Sequence, residues 1–235
     1  MKINQLNPKI FNLTSSMMLP KVRDRLLEIV DEFLSQLNDL GSVDFKIIDI
    51  RLVGSNAAYN YTDKSDIDLH LVVNLSQICQ DCPDIVQHLF NSEKSRFNMN
   101  YDISLKGIQV EIYVEDVRAG TVSNGIYSVL SDCWIKFPTD DNCESYQISD
   151  DDENYLSILS DVVETLESGD ANEIQSRINQ LYLLRKDSLE VRGEYGAGNL
   201  IFKKIRNLGY LDKLKEKYYE ERSKELSLEG LNSVS

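Results

Sequence analysis

The sequence predicts an α+β fold, with strands in the first part of the chain and a helical region after them. Residues 65 to 73, Ser-Asp-Ile-Asp-Leu-His-Leu-Val-Val, alternate polar and apolar side chains in the two-residue period of a strand, as do residues 108 to 114. Residues 22 to 37 and 155 to 184 instead place Val, Leu, Ile and Phe at helical spacing. Between the two regimes lies TDDNCESYQISDDDE, an acidic stretch with the composition of a linker. The plan is an arm at 1–19, a strand-bearing core at 20–138, a linker at 139–153, a helical region at 154–226 and a disordered tail at 227–235.

In chain order, residues 1 to 19 lack a sustained period and read as an arm that packs on the body or frays. Pro20 opens a helix whose stripe is Val22, Leu26, Leu27, Ile29, Val30, Phe33, Leu34 and Leu37, and Gly41 ends it. Asp44 to Val53 is a strand apolar enough to suggest cover on both faces. Ser76 caps a helix running to about Asn91, interrupted near Pro83, and 93 to 100 reads as loop. Tyr101 to Leu105, the turn Lys106-Gly107 and Ile108 to Glu115 form a hairpin. A short strand, Ile126 to Ile135, holds the only tryptophan, Trp134, as a core or ligand-shelf aromatic. Beyond the linker, two apolar stripes separated by Ser168-Gly169-Asp170 give an antiparallel helix pair. A loop at Glu190 to Gly198 then leads into one long helix from Asn199.

The chain centres on Leu52 to Leu71, LVGSNAAYNYTDKSDIDLHL. Its alternation puts Asp66 and Asp68 on one strand face, with Ile67 and Leu69 on the other. Two like charges side by side are costly unless a hard divalent cation joins them, and carboxylate oxygens suit Mg²⁺. Upstream, the small Gly54-Ser55 corner lets a backbone approach a phosphate and offers its amides and hydroxyl.

This ordered set resembles the DNA polymerase β-like nucleotidyltransferase superfamily: a Gly-Ser turn, a spacer of about ten residues, an Asp-x-Asp strand and a later carboxylate flanked by apolar residues. Here these are Gly54-Ser55, Asp66-Ile67-Asp68 and Glu111, with Thr62 and Ser65 placed as in many members. The resemblance covers about positions 20 to 115 and implies a nucleotidyltransferase fold, a small mixed sheet flanked by helices. It implies transfer of a nucleoside monophosphate from an NTP, ATP or GTP, to an acceptor with release of pyrophosphate. It also implies two Mg²⁺ or Mn²⁺ ions, one held by Asp66 and Asp68 and one by Asp68 and Glu111. Gly54 and Ser55 would bind the terminal phosphates. A module that keeps the fold without turnover is the competing reading. The whole chain, including IYSVLSDCWIKFP and NLIFKKIRNLGYLDKL, is similar to uncharacterised nucleotidyltransferase-like proteins of tailed phages, which names no acceptor: a small molecule, a protein and an RNA stay open.

Composition narrows partners. A formal charge of −14 over 235 residues disfavours a general nucleic-acid binder, which needs clustered Lys and Arg, but not a single nucleotide. The densest basic cluster, Arg185, Arg192, Lys203, Lys204 and Arg206, is either a solvated face or a triphosphate holder with Lys203 or Lys204 as helpers. No apolar run approaches bilayer length and no signal peptide opens the chain, so a cytoplasmic protein is expected, in the host cytoplasm for a phage source. Cys79, Cys82, Cys133 and Cys143 form no framework and are expected as reduced thiols, with zinc at Cys79-x-x-Cys82 and nearby His88 the lesser reading.

Overall fold

The computed structural model describes residues 5–38, 45–139 and 148–227. The chain divides into two compact units, residues 1–143 and 144–235. The described residues hold a six-stranded mixed sheet and seven α-helices, a mixed α/β architecture. No described helix is long and apolar enough to cross a membrane. The Gly41 stop, most of the acidic linker and nearly all of the C-terminal tail lie outside the described residues.

In the first unit α1 (Pro20–Asn38) turns Val22, Leu26, Val30, Phe33 and Leu37 inward, all buried. Strand β1 (Ile47–Val53) follows, then a single 3₁₀ turn (Ser55–Ala57) and β2 (Ile67–Val73). A short α2 (Leu75–Ile78) and α3 (Pro83–Asn100) lead to β3 (Ser104–Leu105) and β4 (Ile108–Asp116), joined by a tight turn with φ of 51° at Lys106 and 77° at Gly107. Strands β5 (Ile126–Ser128) and β6 (Cys133–Lys136) complete the order β3-β4-β2-β1-β5-β6. Only β2 and β4 run parallel; α2 and α3 supply the crossover between them.

Period-two alternation divides this sheet chemically. Ile50, Leu52, Ile67, Leu69, Leu71, Val110, Ile112 and Val114 join α1 and α3 in one core, where Phe33 and Phe97 meet edge to face. The opposite face carries Asp49, Arg51, Asp68, His70, Glu111, Tyr113 and Glu115. Apolar cover on both faces of the first strand is therefore corrected: its second face is polar, and Ile48 is exposed.

The arm packs. Leu6, Ile10, Phe11 and Met18 are buried, Phe11 stacks on Trp134, and the Trp134 indole donates to the Ser16 carbonyl at 2.7 Å. Tyr127, its pKa pushed up to about 12 chiefly by burial, accepts from the Met18 amide and donates to Asp132.

Several expectations are corrected. Residues 93 to 100 are helix, because Val86, Phe90, Glu93 and Phe97 recur every three or four residues on the buried side of α3. The expected strand 126–135 is a hairpin, reversed around Asp132 at φ 53°. Cys79 and Cys82 are joined in a disulfide, their Cα atoms 5.3 Å apart, since the break between α2 and α3 folds one back on the other. Cys133 is a free, exposed thiol; Cys143 lies outside the described residues.

The second unit is helical. Asp152 caps α4 (Glu153–Ser168), and Asp170 with Glu173 forms a reciprocal capping box on α5 (Ala171–Arg192). Then α6 (Ala197–Asn207) and α7 (Tyr210–Leu226) close a core of Val162, Ile174, Ile178, Phe202, Ile205 and Leu214. The expected loop at 190 is therefore partly helix, and the expected long helix is two, broken at Leu208-Gly209.

Candidate functional site

Three neighbouring backbones bring the candidate residues together. Val53 at the end of β1 pairs with Asp68 on β2, and Asp68 pairs in parallel register with Glu111 on β4. Registered partners point to the same side, so the Gly54 corner, Asp68 and Glu111 form one row across the polar face. Asp66 stands one residue before β2, two positions from Asp68.

Gly54 fits where another residue does not. Its φ is 72°, and a Cβ there would lie 2.2 Å from Asp68 Oδ2, so the carboxylate rests directly against the glycine backbone. A second close approach backs the turn: a Cβ on Gly125 would lie 1.7 Å from the Ala57 carbonyl oxygen. The same loop supplies Ser123, whose Oγ accepts the Gly54 amide at 3.1 Å. That amide, expected to face a phosphate, is already engaged. The Ser55 hydroxyl is partly exposed and has no partner among the described residues.

Asn56, fully buried, ties the turn to the Asp-x-Asp strand. Its amide nitrogen donates to the Asp66 carbonyl at 2.7 Å and more weakly to that of Ser65, and its oxygen accepts from Asn7 at 2.8 Å. Ser65 Oγ accepts the Thr62 amide at 2.9 Å, closing the linker just before Asp66.

Beyond Glu111 the face becomes a chain of hydrogen bonds. Tyr113 donates to Glu111 Oε2 at 2.6 Å, and Lys94 of α3 places its ammonium 4.1 Å from the centre of the Tyr113 ring. His70 Nδ1 lies 2.7 Å from Glu115, whose other oxygen accepts from Thr121. Arg51 donates to Thr121 and to Asp49, and Ser128 donates to Asp49 at 2.6 Å. Burial alone would push the Glu115 carboxyl up. The hydrogen bonds from His70 and Thr121, with the charges of His70 and Arg51, outweigh it and hold the group below its ordinary value.

Asn56, Arg51, His70, Lys94, Tyr113 and Glu115 were not singled out from the sequence. Four of them follow the same alternation as the residues that were: Arg51 is two before Val53, His70 two after Asp68, and Tyr113 and Glu115 two and four after Glu111. Lys203 and Lys204 lie on α6 of the second unit. Lys204 pairs there with Asp150 at 2.7 Å, donates to the Ile148 carbonyl and covers the Tyr155 ring.

Among the described residues no three His, Cys, Asp or Glu side chains converge closely enough to enclose a metal ion. The pair Asp68 and Glu111, with Asp66 adjacent, is nevertheless a fitting donor set for Mg²⁺, which is bound through one or two carboxylates plus substrate phosphates and water rather than in an all-protein cage. No protein family, curated protein or solved structure matches this chain.

Proposed function

We propose that the first unit is a metal-dependent nucleotidyltransferase that transfers a nucleoside monophosphate from an NTP to an acceptor hydroxyl or phosphate. The observation that carries this reading is the row Gly54, Asp68, Glu111, with the Asp68 carboxylate seated against the glycine. Asp66 and Asp68 would hold the cation that rides on the nucleotide, and Asp68 with Glu111 a second. When bound, such ions neutralise the oxygens entering and leaving phosphorus.

The chain's own residues supply position. Ser55 offers its hydroxyl to the terminal phosphates, and Asn56 fixes the backbone that presents Asp66. Tyr113, donating to Glu111, orients that carboxylate toward the acceptor side. The acceptor oxygen bonds to the α-phosphorus, the bond to pyrophosphate breaks, and the acceptor's proton passes to solvent.

A second reading, a nucleotide-binding module without turnover, is favoured by one observation: the Gly54 amide and the Glu111 carboxylate are already hydrogen-bonded within the chain. The deciding experiment incubates the full chain with ATP or GTP labelled at the α- or γ-phosphate, Mg²⁺ or Mn²⁺, and bacterial extract. Transfer of α-label but not γ-label to an acceptor is expected. In that assay Glu111→Gln should retain NTP binding and lose most of the rate. NTP binding with no transfer by the unaltered protein would leave the module.

A further inference from the structure

Helix α3 packs Val86, Phe90 and Phe97 into the core on one face of the sheet, yet Tyr113 points to the other. Lys94 bridges the two: its four-carbon stem carries the ammonium past the edge of β4 to the Tyr113 ring. Gln87 of the same helix donates to the Val114 carbonyl at 3.0 Å, fixing α3 to this stretch of strand.

The Lys94 ammonium is poorly provided for. Among the described residues it makes no hydrogen bond and no ion pair within 4 Å, only the contact with the ring face. Burial lowers its pKa, and the charge of Glu111 offsets that only in part. Three N–H donors that are partly withdrawn from water and meet a π-face call for an anion.

Its position says which anion. Across the polar face the order is the Gly54-Ser55 turn just after β1, Asp68 on β2, Glu111 on β4, and Lys94 over Tyr113 at the β4 edge. With the nucleotide phosphates at the Gly54 end, the far end belongs to the acceptor. We infer that Lys94, held over the Tyr113 ring, recognises an anionic group, phosphate or carboxylate, on a small acceptor molecule. This rests on the nucleotidyltransferase reading for the acceptor's role, while the anion site itself does not.

The test titrates the full chain, at low ionic strength, with glycerol phosphate, acetate and glycerol. Wild type should bind one or both anions and not glycerol, the tighter anion naming the group. Lys94→Met should weaken that binding at least about tenfold, and Lys94→Arg should keep most of it. In the labelling reaction Lys94→Met should lower transfer while NTP affinity stays as in wild type. Unchanged anion binding in Lys94→Met would overturn the site. Loss of NTP affinity in Lys94→Met would move the anion to the nucleotide and overturn the acceptor role. Failure of the nucleotidyltransferase reading shows separately, as no α-label transferred by the unaltered protein, and would withdraw the acceptor role while the anion titration still stood.

Discussion

The two faces of the sheet in the first unit are built from the same strands and differ by a one-residue step. On one, Leu52, Leu69 and Ile112 stand in register and are essentially inaccessible to water. On the other, Val53, Asp68 and Glu111 stand in register, with the carboxylates only partly buried. The apolar row accounts for the fold, since burying such side chains contributes about 1.5 to 3 kcal/mol each. The polar row contributes nothing comparable. Adjacent carboxylates repel, and the Gly54 that admits one of them is held at positive φ. Under the nucleotidyltransferase reading, the polar face is the working one.

The largest effect should come from the apolar face. Leu69→Ala should cost about 2 to 5 kcal/mol of stability by leaving a cavity, read by urea denaturation. A loss well under that range would mean the core does not fix the register that aligns Asp68 with Glu111.

Gly54→Ala should cost less stability, about 1 to 3 kcal/mol from backbone strain and from displacing the Asp68 carboxylate. It should abolish NTP binding far out of proportion to that loss. A variant as stable as wild type, with unaltered binding, would show that the close approach of Gly54 and Asp68 is unimportant.

The smallest effect is a pH dependence from the polar network. The Glu115 carboxyl titrates below its ordinary value of 4.5 in the folded chain, so the unfolded chain takes up the proton first as pH falls. Its stabilisation is complete above that ordinary value and is lost as pH drops through the lower folded one. Between about pH 6 and pH 3, Glu115→Gln should therefore lose less stability than wild type. Equal losses would mean that the contacts from His70, Thr121 and Arg51 do not favour the carboxylate.

The contrast between the faces also sets how much was legible in the sequence. Residues 66–71 and 108–115 alternate polar and apolar side chains, so their strands and the shared face of Asp66 and Asp68 could be read directly. The partnership of Asp68 with Glu111 is a parallel pairing across a long crossover, visible beforehand only through the resemblance. Helix α3 was cut short because Glu93 occupies a buried position on its apolar stripe, held there by Gln36 and Arg96. The β5-β6 hairpin hid because its reversal uses Asp132 rather than glycine. Lys94 could not be placed, since its contact with the Tyr113 ring joins a helix to a strand and leaves no local mark in the sequence. Asn56 reads as an ordinary loop residue until Asn7 and Asp66 are seen to converge on it.

The most direct test combines both faces in one protein. In the Asp66→Asn, Asp68→Asn double variant, thermal unfolding and calorimetric binding of Mg²⁺ with ATP or GTP are measured side by side. The account predicts a midpoint equal to or above that of wild type, because a like-charge repulsion is removed, together with loss of Mg²⁺-dependent nucleotide binding. Unchanged nucleotide affinity in the double variant would contradict it.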